Sequence, residues 1–406
     1  MNTTDQERAL KLATEAGRIM LQNGAEISRV EDTMERISTH YGVSEQSFFV
    51  LSNGIIATGQ DYAKADYIPI KGMQLSKVIA VNQLSRDVMA DRCTLDDLEK
   101  RLEAIRNGGN RPWWHNVLST AIGLPSFCIL FKGSMIDVAA MFMIGLLLGL
   151  FMTFAGSKMS RVFGNLMGGI VGGQLCIISV GLGFGENLPN MITSAIICLV
   201  PGIPFTNGIR DLVSEDYLAG FTRLLDALLV FICIAMGVII AFLIEEIITG
   251  DLIEIGEYVS DSFTSQWYLQ LLGALIGTMC FSVLFGVPNK YNLACGIVGT
   301  VGWGVYLLTD NAFVSAMAIA LISHLYAVYK RCPVTVFLIC GLVPLVPGGG
   351  IFLTSYYMVS NHLKLAAESG FVALSATVGI AGGIIIVGAI FTRIFQWVNK
   401  SKMVTN

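Results

Sequence analysis

The sequence predicts a polytopic α-helical membrane protein with a small N-terminal α/β domain, and three observations lead to that prediction. The 406 residues are 54% hydrophobic and only 14% charged, which excludes an ordinary soluble enzyme and a disordered chain. Of the 26 lysines and arginines, 14 precede Trp113, so a charged first part is followed by an apolar remainder. That remainder contains apolar runs of the roughly 17–25 residues that a membrane-spanning helix needs.

Residues 1–112 carry mixed helix and strand patterns. Apolar residues three and four apart indicate helices, and runs of β-branched and aromatic residues indicate strands. We predict helices over 5–22, 27–40, 75–90 and 94–107, and strands over 47–59 and 65–70. Thr94 with Asp97 resembles a helix N-cap pattern. The region is therefore predicted to be a small α/β or α+β domain in the cytosol.

One charged phrase in this domain, Gly24 to Thr33, has two interpretations. Glu26 and Arg29 are three residues apart and could pair on one helix face. The simpler interpretation is a solvated helix with a surface ion pair. The alternative is an active or gating site that meets the membrane part of the chain, and the sequence alone leaves both open.

The apolar remainder is predicted to span the membrane ten times. The predicted spans are 115–131, 135–154, 163–183, 189–208, 222–246, 267–286, 292–308, 312–328, 333–353 and 371–396. They form a five-helix repeat over 113–249, an extracellular linker over 250–266 and a second five-helix repeat over 267–398. An odd number of helices per repeat makes the second repeat enter the membrane inverted, as in many secondary transporters.

The loop charges set the predicted orientation. With the first domain in the cytosol, seven basic residues fall in inner loops and two in outer loops, which follows the positive-inside rule. The inner ones are Lys158, Arg161, Arg210, Arg223, Lys290, Lys330 and Arg331, and the outer ones are Lys132 and Lys364. We therefore expect a plasma (inner) membrane protein with both termini in the cytosol.

Two prolines three residues apart interrupt an apolar run in each half, at Pro201 and Pro204 and again at Pro344 and Pro347. Proline removes a helical hydrogen bond, and a broken membrane helix is tolerated only in packed protein or along a cavity. Broken helices at matching positions in two halves indicate a transporter's substrate site. The predicted substrate-binding residues are Pro201, Gly202, Pro204, Thr206, Asn207, Arg210, Pro344, Pro347, Gly348, Gly349 and Gly350.

Titratable groups in the apolar part are candidates for proton coupling, because burying a charge there is costly. His324, Asp226 and Asp211 are the candidates, and the ordinary titration range of histidine suits a proton relay. Asp211 could instead lie at the membrane interface, and His324 could be an internal hydrogen-bonding residue. The sequence has no GxxxxGK[ST] motif, and its nine cysteines show no CxxC pairing, so we expect no ATP drive, cofactor or metal.

Several stretches resemble the threonine/serine exporter family. They are residues 24–42 (GAEISRVEDTMERISTHYG), 110–114 (NRPWW), 200–212 (VPGIPFTNGIRDL), 288–303 (PNKYNLACGIVGTVGW) and 332–350 (CPVTVFLICGLVPLVPGGG). The first part of the chain, to about residue 249, is similar to the larger component of the family, and the part from about 267 is similar to the smaller one. The resemblance implies a fused exporter of threonine and serine that is driven by the proton motive force.

Two other functions stay open at this point. The family's two-protein form is associated with succinate, so a dicarboxylate exporter is the alternative within transport. A dicarboxylate favours two cationic or helix-N-terminal donors, and Arg210 is the one evident cation. A membrane-anchored hydrolase is the alternative from another class. The expected partners are a small-molecule substrate, protons, the lipid bilayer and a second copy of the chain, and no nucleic acid.

Overall fold

The computed structural model describes residues 3–59, 62–69, 73–109, 111–250 and 264–404. The first seven elements are α1 (Thr3–Gln22), α2 (Ile27–His40), β1 (Ser47–Leu51), β2 (Gly54–Gly59), β3 (Tyr62–Tyr67), α3 (Leu75–Met89) and α4 (Leu95–Asn107). The three strands form one antiparallel sheet in the order β1-β2-β3. A sequential antiparallel sheet beside helices is the α+β arrangement, one of the two that the sequence left open.

The strands differ from the prediction in number and position. The predicted strand over 47–59 is a hairpin, with Val50 opposite Ile55. The third strand begins at Tyr62 rather than at residue 65, and residue 70 lies outside the described residues. This strand lacks a buried run, because it carries Lys64 and Asp66, which pair at 2.7 Å. An edge strand of this kind is poorly marked in sequence.

The four predicted helices of this region are present within one or two residues of their expected bounds. Thr94 and Asp97 form a capping box at the start of α4, as their spacing predicts. Leu10, Met20, Ile27, Met34 and Ile37 are buried together in one hydrophobic core that α1 to α4 and the sheet share. The helices pack because their apolar faces recur every three to four residues.

After this region, the described residues form twelve α-helices. They are α5 (Trp113–Leu130), α6 (Met135–Phe154), α7 (Arg161–Gly181), α8 (Leu188–Ile197), α9 (Gly202–Val213), α10 (Tyr217–Thr249), α11 (Trp267–Leu284), α12 (Asn289–Thr309), α13 (Ala312–Lys330), α14 (Thr335–Leu342), α15 (Gly348–Val359) and α16 (Leu363–Val404). Within the described residues, seven helices are long and apolar enough to cross a membrane, and up to nine spans result if each bent pair counts as one. Helix α5 is not among them, since its first turn is polar. The count of ten and the inversion of the second half stay predictions.

Both predicted breaks are present. Helices α8 and α9 meet at a bend of 61°, and α14 and α15 meet at 44° after a 3₁₀ turn over Val343–Leu345. The residues that start the new helices have nearly the same backbone conformation: Pro201 has φ −80° and ψ 59°, and Pro347 has φ −76° and ψ 55°. In local backbone conformation Pro201 therefore matches Pro347, whereas the sequence phrase pairs Pro201 with Pro344.

Glycines let the membrane helices approach closely. A Cβ at Gly169 of α7 would lie 2.8 Å from the carbonyl oxygen of Ile234 in α10, a separation that real Cβ atoms do not show. Likewise, a Cβ at Gly350 of α15 would lie 2.8 Å from the Cβ of Ala373 in α16. Small residues at such crossings serve the packing of helices in membranes.

Candidate functional site

The two helix breaks lie next to each other. Helix α8 contacts α15, and α9 contacts α14. A small cavity of about 20 Å³ lies between the breaks and is lined from both, by Gly202 and Thr206 on one side and by Val346 and Pro347 on the other. This volume is close to that of one water molecule, so it does not hold an amino acid.

A large cavity of about 350 Å³ adjoins the second break. Its lining comes from α8, α12, the break itself and α16, and includes Asn190, Thr193, Trp303, Tyr306, Pro344, Val346, Pro347, Gly348, Gly349, Gly350 and Ala373. Val346 and Pro347 line both cavities. Small-molecule sites begin at roughly 300 Å³, so the large cavity is the candidate substrate site.

The large cavity is polar at a few points but uncharged. None of the described residues that line it is Lys, Arg, His, Asp or Glu. Its polar groups are the Asn190 amide, the Thr193 hydroxyl, the Trp303 indole, the Tyr306 phenol and the backbone at the start of α15. Pro347 precedes that helix and gives it no side-chain cap. The N–H of Gly348 donates to the carbonyl of Val346, so the N–H groups of Gly349 and Gly350 and the positive end of the helix dipole are the groups left open beside the cavity.

The predicted substrate residues separate into three groups. Those of the second break line the large cavity, namely Pro344, Pro347, Gly348, Gly349 and Gly350. Of the first break, Gly202 and Thr206 line the small cavity, whereas Pro201 and Pro204 are not among the lining residues of either. Asn207 and Arg210 lie one to two turns further along α9, where they contact Gly24 and Glu26 of the region formed by α1 to α4 and the sheet, which we call the N-terminal domain.

Sequence reasoning missed Asn190, Thr193, Trp303 and Tyr306 in the lining of the large cavity. A signal existed for α8, because Asn190, Thr193 and Ser194 are polar residues in an otherwise apolar helix. No signal in the sequence shows that the end of α12, where Trp303 and Tyr306 lie, faces the second break. That juxtaposition depends on tertiary packing alone.

Glu26 joins the N-terminal domain to α9 through buried charges. Its side chain is 4% exposed, and its Oε2 lies 2.9 Å from Nη2 of Arg210. Its Oε1 lies 3.6 Å from Nε of Arg29, the pair expected from the sequence. Burial by itself would raise the pKa of Glu26, but Arg210 and Arg29, with smaller contributions from Thr335 and Arg223, together outweigh burial, so this pKa lies below its ordinary value. The two predicted gating residues therefore belong to a buried contact rather than to a solvated helix face.

A second buried pair lies beside the first. Nη1 of Arg223 in α10 lies 2.7 Å from Oδ2 of Asp211, and Nη2 of Arg223 donates to the carbonyl of Ala25 at 2.9 Å. The backbone N–H of Ile27 donates to Oδ1 of Asp211 at 3.2 Å. Asn207 adds a hydrogen bond of 2.7 Å to the carbonyl of Gly24. We call Glu26, Arg29, Arg210, Asp211 and Arg223 the interdomain charge cluster.

The proton-coupling candidates lie outside both cavities. Asp211 belongs to the interdomain charge cluster. His324 in α13 stacks on Phe391, with ring centroids 4.3 Å apart, and lies close enough to Arg210 and Glu26 to interact with them electrostatically. Asp226 pairs with Arg161 between α10 and α7. Thus two of the three candidates are near the cluster, and the third stabilises a helix contact.

The N-terminal domain also contacts the second half of the chain. The N–H groups of Leu75 and Ser76, at the start of α3, donate to the carbonyls of Phe285 and Gly286 at 3.1 and 3.0 Å. Arg111, before α5, donates to Oδ1 of Asn289 at 2.8 Å. The domain thus holds α9 and α10 of one half and the connection between α11 and α12 of the other.

The large cavity lies far from these contacts. Trp303 follows Asn289 by 14 residues on the same helix, which places it about 21 Å further along at 1.5 Å per residue. Pro189 and Asn190 at the start of α8, and Ala312 at the start of α13, line the same cavity. The cavity therefore lies between helix ends that point away from the N-terminal domain.

Comparison with known proteins assigns the chain to a family. A family model for threonine/serine exporters, ThrE, matches residues 11–244, which is more than half of the chain. The chain belongs to the threonine/serine exporter family. A second model, described as Threonine/Serine exporter, ThrE, matches residues 270–390, so both components of the family occur in this one chain. This confirms the resemblance that the sequence motifs indicated, and the family is one of membrane transporters rather than enzymes.

The individual relatives that the chain matches are distant in sequence. The threonine/serine exporter of Corynebacterium glutamicum is 19% identical over 93% of this chain and 81% of its own length. The "Probable succinate transporter subunit YjjP" of Klebsiella aerogenes is 23% identical over 59% of this chain and 94% of its own. "Pheromone-regulated membrane protein 10" of Kluyveromyces lactis is 24% identical over 76% of this chain. The chain spans about a third (34%) of the length of that yeast relative. No solved structure matches the chain.

Proposed function

We propose that this exporter moves small polar amino acids, threonine and serine, out of the cytosol across the plasma membrane, and that the large cavity holds them. The uncharged lining of that cavity is the observation that carries this proposal. A threonine or serine zwitterion has no net charge, so its carboxylate and ammonium suit helix ends and side-chain dipoles without a charged residue. The name of the Corynebacterium relative supports the same substrates.

Succinate is the second candidate substrate, since the Klebsiella relative is named a probable succinate transporter subunit. A dicarboxylate brings two negative charges into the site, and burying them without cations is costly. Arg210 is the cation that the sequence offered for this purpose, but Glu26 already pairs with it outside the cavity. The arrangement of charges in the described part of the chain therefore favours the amino acid.

The test is transport by the purified full chain in proteoliposomes, with labelled threonine, serine and succinate and with or without a proton gradient. We expect saturable movement of threonine and serine that unlabelled threonine suppresses and succinate does not. Saturable succinate movement without threonine or serine movement would replace the proposal by the dicarboxylate exporter. Movement of none of the three would reject both.

We infer further that access to the large cavity alternates and that the interdomain charge cluster is its cytosolic gate. Two observations support this: the cavity lies between the helix ends away from the N-terminal domain, and the cluster joins that domain to α9 at the other end. Opening a path from the cytosol then requires Glu26 to part from Arg210. Glu26 and Arg29 are the gating residues, and the broken helices supply the moving parts.

Proton antiport completes the proposed mechanism. A proton that binds near the cluster changes the charge balance that holds the gate, because isolated buried charges are costly. His324 and Asp211 are the candidates, since both interact with residues of the cluster. Asp226 is the weaker candidate because Arg161 already pairs with it at a separate helix contact.

A further inference from the structure

Asn190 in α8 lines the large cavity, and its side chain has an unsatisfied polar atom. Asn190 is 2% exposed and belongs to the lining of the cavity. Among the residues that the structure describes, no atom accepts a hydrogen bond from its Nδ2. Buried amides nearly always have a partner, and one left without a partner destabilises the protein. An unpartnered amide on a residue that lines a cavity is a candidate hydrogen-bond donor to a ligand there.

The first turn of α15 lies across from the same face of α8. Thr193 follows Asn190 by three residues, so both side chains lie on one face of the helix. A Cβ at Gly348 would lie 3.6 Å from Cγ2 of Thr193, and one at Gly349 would lie 3.7 Å from it. Asn190, Thr193 and the uncapped start of α15 therefore surround one part of the large cavity.

The groups that meet there are mainly hydrogen-bond donors. The Asn190 amide offers N–H donors, and the Thr193 hydroxyl can donate one more. The N–H of Gly348 donates to the carbonyl of Val346, whereas the N–H groups of Gly349 and Gly350 have no partner within the helix. The helix dipole adds a partial positive charge at the same place. A set of donors without an acidic side chain suits a carboxylate.

We propose that Asn190 and the first turn of α15 bind the α-carboxylate of the amino acid. This rests on the proposed function and assigns one part of its substrate to named residues. The carboxylate accepts a hydrogen bond from the Asn190 amide and further ones from the backbone N–H groups of Gly349 and Gly350. The ammonium and the hydroxyl of the substrate then point toward the remaining lining, where Trp303 and Tyr306 lie.

The test is binding of labelled threonine to the purified full chain carrying Asn190→Asp. This substitution keeps the shape of the side chain and places a negative charge against the carboxylate. We expect Kd for threonine to rise at least tenfold, whereas Kd for threoninol, which lacks the carboxylate, should not rise. The matched control is Asn292→Asp in α12, a half-buried asparagine outside the lining of both cavities, which should leave Kd for threonine unchanged.

A second variant keeps the test decisive if Asn190→Asp folds poorly. Asn190→Ala removes an amide that is unpaired without substrate, so it should weaken threonine binding while the melting temperature of the free protein stays the same or rises. Loss of both binding and stability would make Asn190 a structural residue and overturn the proposal. If the wild type and both variants bind threonine with the same Kd, the carboxylate subsite is wrong, but the proposed function still stands. Wild-type protein that binds neither threonine nor serine would overturn the proposed function.

Discussion

Glu26 shows how one residue connects two parts of the chain. Its carboxylate is buried, so it needs compensating charge, and Arg210 and Arg29 supply it from two different regions. Removing one partner of a buried pair leaves the other charge uncompensated. The behaviour of Glu26 therefore differs from that of the many exposed ion pairs in the same domain, which are worth little individually.

Glu26→Gln should destabilise the protein by about 3 kcal/mol, the lower end of the cost of breaking a buried ion pair. The measurement is thermal or chemical unfolding of the purified full chain. Asp32→Asn is the matched control, because Asp32 pairs with Arg36 at 2.8 Å on the exposed face of the same helix. The control should cost less than about 0.5 kcal/mol. Equal effects of the two substitutions would contradict a buried role for Glu26.

The same residue predicts a pH dependence. The pKa of Glu26 lies below its ordinary value of 4.5, because burial, which raises it, is outweighed by Arg210 and Arg29 together with Thr335 and Arg223. A group whose pKa is lower in the folded state stabilises the fold when it is ionised. This contribution is complete at pH values above the unfolded-state pKa and is lost as the pH falls through the folded-state pKa. The contribution of Glu26 should therefore be constant above about pH 4.5 and decrease below it. The melting temperatures of wild type and Glu26→Gln, plotted against pH, should converge at acidic pH. Parallel plots would refute this.

His324→Gln should leave the protein folded and remove the pH dependence of export, if His324 relays the proton. The glutamine keeps the polar side chain beside Phe391 but does not titrate. The control is His362→Gln, because His362 is exposed and lies at the start of α16. Both variants would be compared for threonine export from pH 5.5 to 8 in proteoliposomes. An unchanged pH profile in a well-folded His324→Gln protein would assign His324 a structural role.

At the scale of elements, the paired breaks make the strongest prediction. Pro201 and Pro347 each precede a new helix in the same backbone conformation, so alanine at either position should let the helix continue and remove the open backbone groups. We expect correctly inserted protein with at least tenfold less threonine export. Pro125→Ala is the control, because Pro125 lies inside the continuous helix α5, and it should retain export. Loss of expression in step with activity would instead mean that the prolines only serve packing.

Local patterns predicted the elements better than their contacts. Proline pairs and a capping pattern act through the adjacent backbone, so the helix breaks and the cap at Thr94 could be found from the sequence. The third strand begins three residues before its predicted start. The prediction missed this because the strand lies at the edge of the sheet and does not alternate buried with exposed residues. The conformational match of Pro201 with Pro347 could not be found from the sequence, because the repeated phrase aligns Pro201 with Pro344 instead.

The candidate site was predicted only where its residues are neighbours in sequence. Pro344 to Gly350 line the large cavity, as the break in that helix indicated. Arg210 was expected beside the substrate, but Glu26, distant along the chain, lies against it. No periodicity in one segment specifies which residue of another segment will meet it, so the charge cluster and the Asn190 face required the fold.

At the scale of the whole molecule, orientation in the membrane is the open prediction. The loop charges predict that residues 250–266 are external and that the connection before α7 is internal. A cysteine introduced at Ser260 should react with an impermeant thiol reagent added to whole cells, whereas one at Ser160 should react only after permeabilisation. Labelling in a background without the native cysteines gives the control. The opposite pattern would reject the predicted orientation.

The contacts of the N-terminal domain with both halves have a consequence for a divided chain. Gly24 to Ile27 hold α9 and α10, while the start of α3 and Arg111 hold the connection between α11 and α12. These attachments do not pass through the peptide segment that joins the two halves. If that segment were cut between residues 250 and 264, the fragment that begins with α1 would still bind the fragment that contains α11 to α16. The two fragments, made as separate polypeptides, should therefore copurify, because the N-terminal domain of one binds the other.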